Sequence, residues 1–339
     1  MLTILFHKRE LGMQNQSCKN TLSLVLLAVI GLICFAGRFH PLYAMDEKTN
    51  AALMRFSRVL EELKKNYVDE PDPDILVKNA IQGMMENLDP YSVFLPPEAF
   101  EALKATTRGE FRRDFVPVQR VQSAMLDPKG FGYIAVRYFS EHTVEDMANA
   151  LKDLEFSGLS GLILDLRNNP GGHLDQAVQM SDLFLDKGVI VSIKGRHPKD
   201  ERVFKARAGD VKRDYPIAVL INGSTASASE IIAAALQDHK RAVIIGSASF
   251  GKGSVQTVIP FEDGSGIKYT VARYYTPNKK SIQGRGVIPD IEAVQESDFF
   301  LQKEITGGND RRPVNIDLLK KDPGIGRALG ILSTQVQKK

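Results

Sequence analysis

The sequence predicts an α/β fold with a small helical domain in front of its core and a helical segment behind it, and three observations carry that prediction. From Gly132 onward apolar strand-like runs alternate with helical stretches, apolar residues between 53 and 88 recur at helical spacing, and the final segment, 296–339, returns to loop and helix. Composition agrees: 339 residues, 43% hydrophobic and 25% charged, make an ordinary globular chain. A chain of that length buries a core without needing disulfides or a structural metal.

Taken in order, residues 1–44 combine scattered positive charge, an apolar run from Leu22 to Ala36 and a small residue in Leu42-Tyr43-Ala44. That is the grammar of an export signal, or of a membrane anchor if it is kept. Met13 offers a second start with the same signal, and Ile33 before Cys34 argues against a lipidated cysteine. The working part is therefore expected outside the cytoplasm, in the periplasm or on the outer face of the cytoplasmic membrane. In a helical domain over 46–110, Leu53, Phe56, Val59, Leu60, Leu63 and Tyr67 form one stripe. A second helix follows Asp74 with Ile75, Ile81, Met84, Met85 and Leu88 inward, and a third runs from Pro97 to Lys104 with proline in its first turn. The core is expected over 112–295. Its strands are Val116 to Leu126, Tyr133 to Val136, Leu162 to Leu166, Val189 to Ile193, Ile217 to Ile221, Val243 to Ile245, Ser254 to Ile259 and Ile267 to Tyr274. Helices fall between them: one capped by Thr143, one near Asp175 to Leu185, and an alanine-rich one from Ser229 to His239.

Charge and cysteine content exclude whole classes of function. Residues 1–45 hold Lys8, Arg9, Lys19 and Arg38 against Glu10, which leaves 40 basic and 40 acidic residues in the rest. A balanced chain without a long Lys/Arg block lacks the footprint of a nucleic-acid binder. Both cysteines, Cys18 and Cys34, lie in the first segment, so the remainder has no thiol for metal binding, disulfides or nucleophilic attack.

Three stretches can carry chemistry. Asn222-Gly223-Ser224-Thr225-Ala226-Ser227-Ala228-Ser229-Glu230 follows an apolar strand and opens a helix, where unpaired N–H groups can stabilise an oxyanion. Ser227-x-x-Glu230 is equally a capping box, and Ser224, Thr225 and Ser229 compete as caps or nucleophiles. No histidine is an obvious base: His142 and His197 fall in loops and His239 ends the helix. Lys252, flanked by Gly251 and Gly253, is the remaining candidate, since a desolvated lysine can act as a neutral amine. Gln256, four residues on along a strand, shares its face. Asp165-Leu166-Arg167-Asn168-Asn169-Pro170-Gly171-Gly172 ends a buried strand in a glycine turn whose N–H groups could face a ligand, or could be a plain turn with Asp165 and Arg167 paired. His173 is read as an exposed turn residue outside the catalytic set.

Together these stretches resemble the carboxyl-terminal processing peptidases, or tail-specific proteases. The match extends to Leu88-Asp89-Pro90-Tyr91-Ser92, Leu95-Pro96-Pro97-Glu98 and Gly284-Arg285-Gly286-Val287-Ile288-Pro289-Asp290. The resemblance implies a crotonase-like, ClpP-like spiral core, Ser227 as nucleophile, Lys252 as general base and Gln256 as its orienter. It also implies an oxyanion hole from Ala228 N–H and an N–H of Gly171 or Gly172, an acyl-enzyme, and neither metal nor cofactor. It implies protein or peptide substrates with apolar C-termini, a homo-oligomer, and an activator or adaptor protein as a further partner. Members carry a PDZ module of about eighty to ninety residues between helical domain and core. Here Thr106 to Phe111 leads almost directly into Val116, so the module is expected to be absent at about 111–115. The alternative is a catalytically silent or partner-activated scaffold of the same fold. An acyl-CoA enzyme on a related core would need a nucleotide-binding feature that the sequence does not offer.

Overall fold

The computed structural model describes residues 46–107, 119–209, 211–293 and 314–338, so the signal segment, the expected module gap and most of the link to the C-terminal segment lie outside the described residues. The chain divides into two compact units, 1–80 and 81–339. In the first, helix α1 (Glu47–Asn66) begins at Asp46, whose carboxylate accepts the Thr49 N–H at 2.9 Å, and no α1 residue is buried. Helix α2 (Pro73–Glu86) starts with proline, its Asp74 N–H bonded to the Asp72 carboxylate at 2.8 Å, and runs across the division. Its apolar residues were expected inward. Met85 alone is buried, while Ile75, Met84 and Leu88 are exposed, because an amphipathic stripe is buried only where a second surface covers it.

The second unit is built on a six-stranded sheet in the order β11-β8-β7-β4-β3-β2. Its strands are β2 (Val121–Met125), β3 (Phe131–Val136), β4 (Gly161–Asp165), β7 (Ile217–Ile221), β8 (Ala242–Gly246) and β11 (Ile291–Glu292). Neighbours run parallel except β2 and β3, which are antiparallel. The central strands are continuous apolar runs because both faces are covered. Ile134, Leu162, Leu164, Val219, Ile221 and Ile244 pack with helices α4 (Thr143–Phe156), α5 (Leu174–Asp182) and α6 (Ala228–Asp238). Residues of opposite parity, Tyr133, Ala135, Ile163, Ala218, Leu220 and Ile245, pack with Leu319 of the short helix α7 (Ile316–Leu319) and with Ile325, Ala328 and Leu332 of α8 (Pro323–Gln337). The strand period of two thus distributes one sequence between two cores.

A second, antiparallel sheet orders β1 (Val93–Leu95), β10 (Gly266–Tyr275), β5 (Gly188–Gly195) and β6 (Arg202–Ala206), with β9 (Ser254–Pro260) on β10. Helix α3 (Pro97–Thr107) places Phe100 against Gly266, where a Cβ would come within 2.6 Å of the ring. Two details differ from the sequence reading. Thr143 is the first residue of α4 rather than its cap, and its hydroxyl accepts the Ser140 N–H at 2.9 Å. The short strands β1, β6 and β11 carry too little periodicity to stand out in sequence.

Candidate active site

The loops that follow β3, β4, β7 and β8 converge beyond the carboxyl ends of these parallel strands, where a sheet of this kind opens a crevice. The β7 loop turns into α6 at Ser227, whose φ of 56° and ψ of −114° are sparsely populated for a residue with a side chain. The surroundings hold it there. Its N–H donates to Glu230 Oε2 at 2.7 Å, its carbonyl accepts the Glu230 N–H at 2.9 Å, and Ala226 N–H donates to the Asn169 carbonyl at 3.0 Å. Ser227 and Glu230 form the capping box expected from the sequence, and the half-buried Ser227 hydroxyl stands at the helix N-terminus.

Its competitors resolve differently. Thr225 is buried, its hydroxyl donating to the Leu166 carbonyl at 2.8 Å and accepting the Asn222 N–H at 2.9 Å. Ser229 is buried and donates to the Asn169 carbonyl at 3.1 Å. Ser224 lies exposed in the turn, and His173 is exposed as expected. His239 holds the Val189 carbonyl at the other end of α6.

The β4 loop lies against this elbow. Asn168 and Asn222 exchange hydrogen bonds, Asn168 N–H to Asn222 Oδ1 at 3.0 Å and Asn222 Nδ2 to Asn168 Oδ1 at 2.9 Å. Asn169 is fully buried, with Nδ2 donating to the Val136 carbonyl and Oδ1 accepting the Gly171 N–H, each at 2.9 Å. Gly171 has φ of 99°, and a Cβ there would stand 2.9 Å from both Ala228 N and Ser227 Cβ. Only glycine lets the loop approach so closely. Of the two glycines expected to offer an N–H, Gly171 has committed its own to Asn169, whereas the exposed Gly172 (φ 145°) donates no hydrogen bond among the described residues. Asp165 and Arg167 do pair, fully buried, Nη2 to Oδ2 at 2.7 Å and Nε to Oδ1 at 2.9 Å. Burial by itself would raise the Asp165 carboxyl, but the charge and hydrogen bonds of Arg167 outweigh it and hold the carboxyl below its ordinary range.

The β8 loop brings Lys252. Glu230, fully buried, accepts Ser249 Oγ at 2.5 Å and Gly251 N–H at 2.7 Å on Oε1, and Lys252 N–H at 2.9 Å on Oε2. Because Oε2 also holds Ser227 N–H, one carboxylate oxygen fixes the backbones of both candidate catalytic residues. The 283–287 stretch braces the same loop, with Val287 N–H on Ser249 Oγ at 2.6 Å and Gln283 Oε1 accepting Gly253 N–H at 3.0 Å. Lys252 Nζ stands 5.9 Å from the centre of the Tyr91 ring. Tyr91 is placed there by its neighbour Ser92, which accepts Thr270 N–H of β10 at 3.2 Å. Among the described residues Lys252 Nζ makes no hydrogen bond to Ser227 or Gln256, and Gln256 Nε2 donates to Ser254 Oγ at 2.7 Å instead. The expected contact of Gln256 with Lys252 is not formed here, because Lys252 and Gly253 precede β9 and the strand geometry does not extend to Lys252. Sequence reasoning found Glu230 only as a cap partner and missed Asn169, Ser249 and Tyr91, whose contacts span separate loops.

Comparison with known proteins places the chain among peptidases. Peptidase family S41 matches residues 130–293, and the N-terminal domain of the activating protease CtpB matches residues 41–99. A carboxy-terminal-processing protease of Bartonella bacilliformis is 35% identical over 333 positions, covering 74% of this chain and 77% of the relative. The carboxy-terminal processing protease CtpA of Bacillus subtilis is 30% identical, covering 70% and 68%. In fold, the chain is similar to a photosystem II D1 C-terminal processing protease at 24% identity and a TM-score of 0.57, over 77% of this chain and 98% of that one.

Proposed function

The chain belongs to peptidase family S41 as a serine peptidase of the carboxy-terminal processing kind, and from that premise we propose that it is an exported enzyme that cuts proteins at or near apolar C-termini through Ser227 and Lys252. Ser227 Oγ attacks the scissile carbonyl carbon while the neutral amine of Lys252 takes its proton. The carbonyl oxygen, now an oxyanion, accepts hydrogen bonds from Ala228 N–H and Gly172 N–H. Collapse expels the amine, which carries away the proton from Lys252, and leaves an acyl-Ser227 that water hydrolyses with Lys252 again as base. Gln256 orients Lys252 once that side chain turns toward Ser227. The observation that carries the reading is Ser227 on a positive-φ elbow at the helix N-terminus, packed beside the Gly171–Gly172 turn.

Absence of the PDZ module finds support in the alignments. The 333 positions shared with the Bartonella protein occupy 74% of this 339-residue chain, so roughly eighty positions of the relative, the size of a small domain, have no counterpart here. The leader over residues 1–44 supports export, though among the described residues no helix is long and apolar enough to cross a membrane. The exposed apolar residues of α1, Leu53, Phe56, Val59 and Leu63, support assembly into a homo-oligomer.

The test is to incubate the purified exported domain with an unfolded protein ending in apolar residues and follow cleavage by mass spectrometry. Wild type cleaves, whereas S227A and K252A each lose at least about a thousandfold in rate. A second reading, a partner-activated form of the same site, is favoured by the open geometry between Lys252 Nζ and Ser227. It would show as a silent wild type that cleaves once envelope extract is added. Cleavage undiminished in S227A would exclude the serine mechanism.

A further inference from the structure

We propose that Asp322, at the N-terminus of the C-terminal helix α8, is a positioning residue for the active-site loop. The inference rests on the serine-peptidase reading for its catalytic consequence but not for its structural one. Asp322 is buried and its carboxylate has two partners: Oδ1 accepts the Ile325 N–H at 3.1 Å as the α8 cap, and Oδ2 accepts Arg167 Nη1 at 2.8 Å across 155 residues of sequence. Arg167 is 2% exposed and spends its other edge on Asp165, which also accepts the Tyr133 hydroxyl at 2.9 Å. Thus the guanidinium is gripped from both sides, by the end of β4 and by α8.

The loop beyond Arg167 gives this grip its consequence. Asn168 has a φ of 57°, a conformation that a residue with a side chain keeps only where surrounding contacts over-determine it, and Gly171 and Gly172 follow at 99° and 145°, where glycine leaves the backbone free to move unless it is anchored. On one side those contacts are Asn222 and Val136; at the base of the loop they are Arg167 and, through it, Asp322. Docking of α8, whose Ile325, Ala328 and Leu332 are fully buried on the sheet, therefore sets the anchor of the turn that stands against Ser227 and Ala228. Anything that lifts α8 off the sheet releases that turn.

Asp322→Ser separates the two jobs of the carboxylate, because serine caps a helix about as well as aspartate but is too short to reach Arg167. Hydrogen exchange of the full chain is the readout that needs no activity. In D322S the amides of Asn168 and Gly171 should exchange about tenfold faster while those of β8 and α6 stay unchanged; wild-type protection of the loop overturns the proposal. Below the melting temperature of the variant, kcat and labelling of Ser227 by a serine-directed phosphonate should also fall about tenfold with KM within about twofold, the signature of lost transition-state geometry. A lower melting temperature with unchanged kcat and unchanged loop exchange would mean that the Asp322–Arg167 pair only adds stability and does not position the loop, and would overturn it too. Should D322S fail to fold, D322N, which keeps a cap and weakens the ion pair, is expected to give the same changes in smaller measure. Faster loop exchange in a protein whose wild type neither cleaves nor labels would refute the peptidase reading and leave the clamp standing.

Discussion

Ser227 shows how one residue can be strained and still be retained. A side chain at φ of 56° costs about 1–3 kcal/mol, and the site over-determines it through Glu230 and Asn169. Glycine carries no such penalty, so S227G is expected to unfold at a higher temperature than wild type, by about 1 kcal/mol in stability, while losing all cleavage. Differential scanning calorimetry beside the cleavage assay checks both halves; a variant less stable than wild type would deny the strain. Glu230 is the opposite case, a buried carboxylate with four donors directed at it. Glu230→Gln would aim an amide N–H₂ at two of those donors, and is expected to cost about 2–4 kcal/mol in denaturant unfolding and to lower kcat more than KM is raised. The sequence pattern Ser-x-x-Glu named one of these four contacts. The other three come from residues 249 to 252, on a different loop, and carry no local signal.

At the scale of elements, the strands were the most legible. Ile217–Ile221 agrees residue for residue, and β3, β4 and β8 agree within a residue or two, because a run buried on both faces is apolar throughout. Helix ends were less legible: His142 precedes α4 without capping it through its side chain, so no pattern marks that start. Helix α8 reads as amphipathic, but its docking face is defined only by the sheet beneath it. Leu332 is fully buried there, and Leu332→Ala is expected to lower stability by about 2–4 kcal/mol, read as a shift in denaturant midpoint with unchanged slope. A shift no larger than that of an exposed-site control would show that α8 is not part of the cooperative core.

For the whole molecule, the buried ionic group at the end of β4 contributes to stability in acid. Asp165 faces Arg167, Tyr133 and, more distantly, Arg137, and its carboxyl is held below its ordinary value. A group depressed in the folded state contributes fully above its unfolded pKa, about 3.9, and loses that contribution as pH falls through the lower folded value. Stability from this group is therefore constant from neutral pH down to about 4 and is lost below it. Tyr133→Phe removes one hydrogen bond to the charged carboxylate, which raises the folded pKa, so its acid transition, followed by circular dichroism, should fall at higher pH than that of wild type. Coincident transitions would show that the Tyr133 hydroxyl does not stabilise the ionised form.

Local pattern was enough for the fold class, the central strands, the elbow that carries Ser227 and the lysine loop, because periodicity, glycine turns and a cluster of small residues act over a few neighbours. Contacts between distant segments buried the Thr225 and Ser229 hydroxyls in the loop, selected which glycine N–H remains available, and made Glu230 the tie between two loops. They also brought Asp322 to Arg167. Each of these depends on a hydrogen bond whose partners meet only when parallel strands stack in the order β8-β7-β4-β3 and α8 lies across them, and hydrogen-bond geometry at 2.5–3.1 Å leaves no trace in linear spacing.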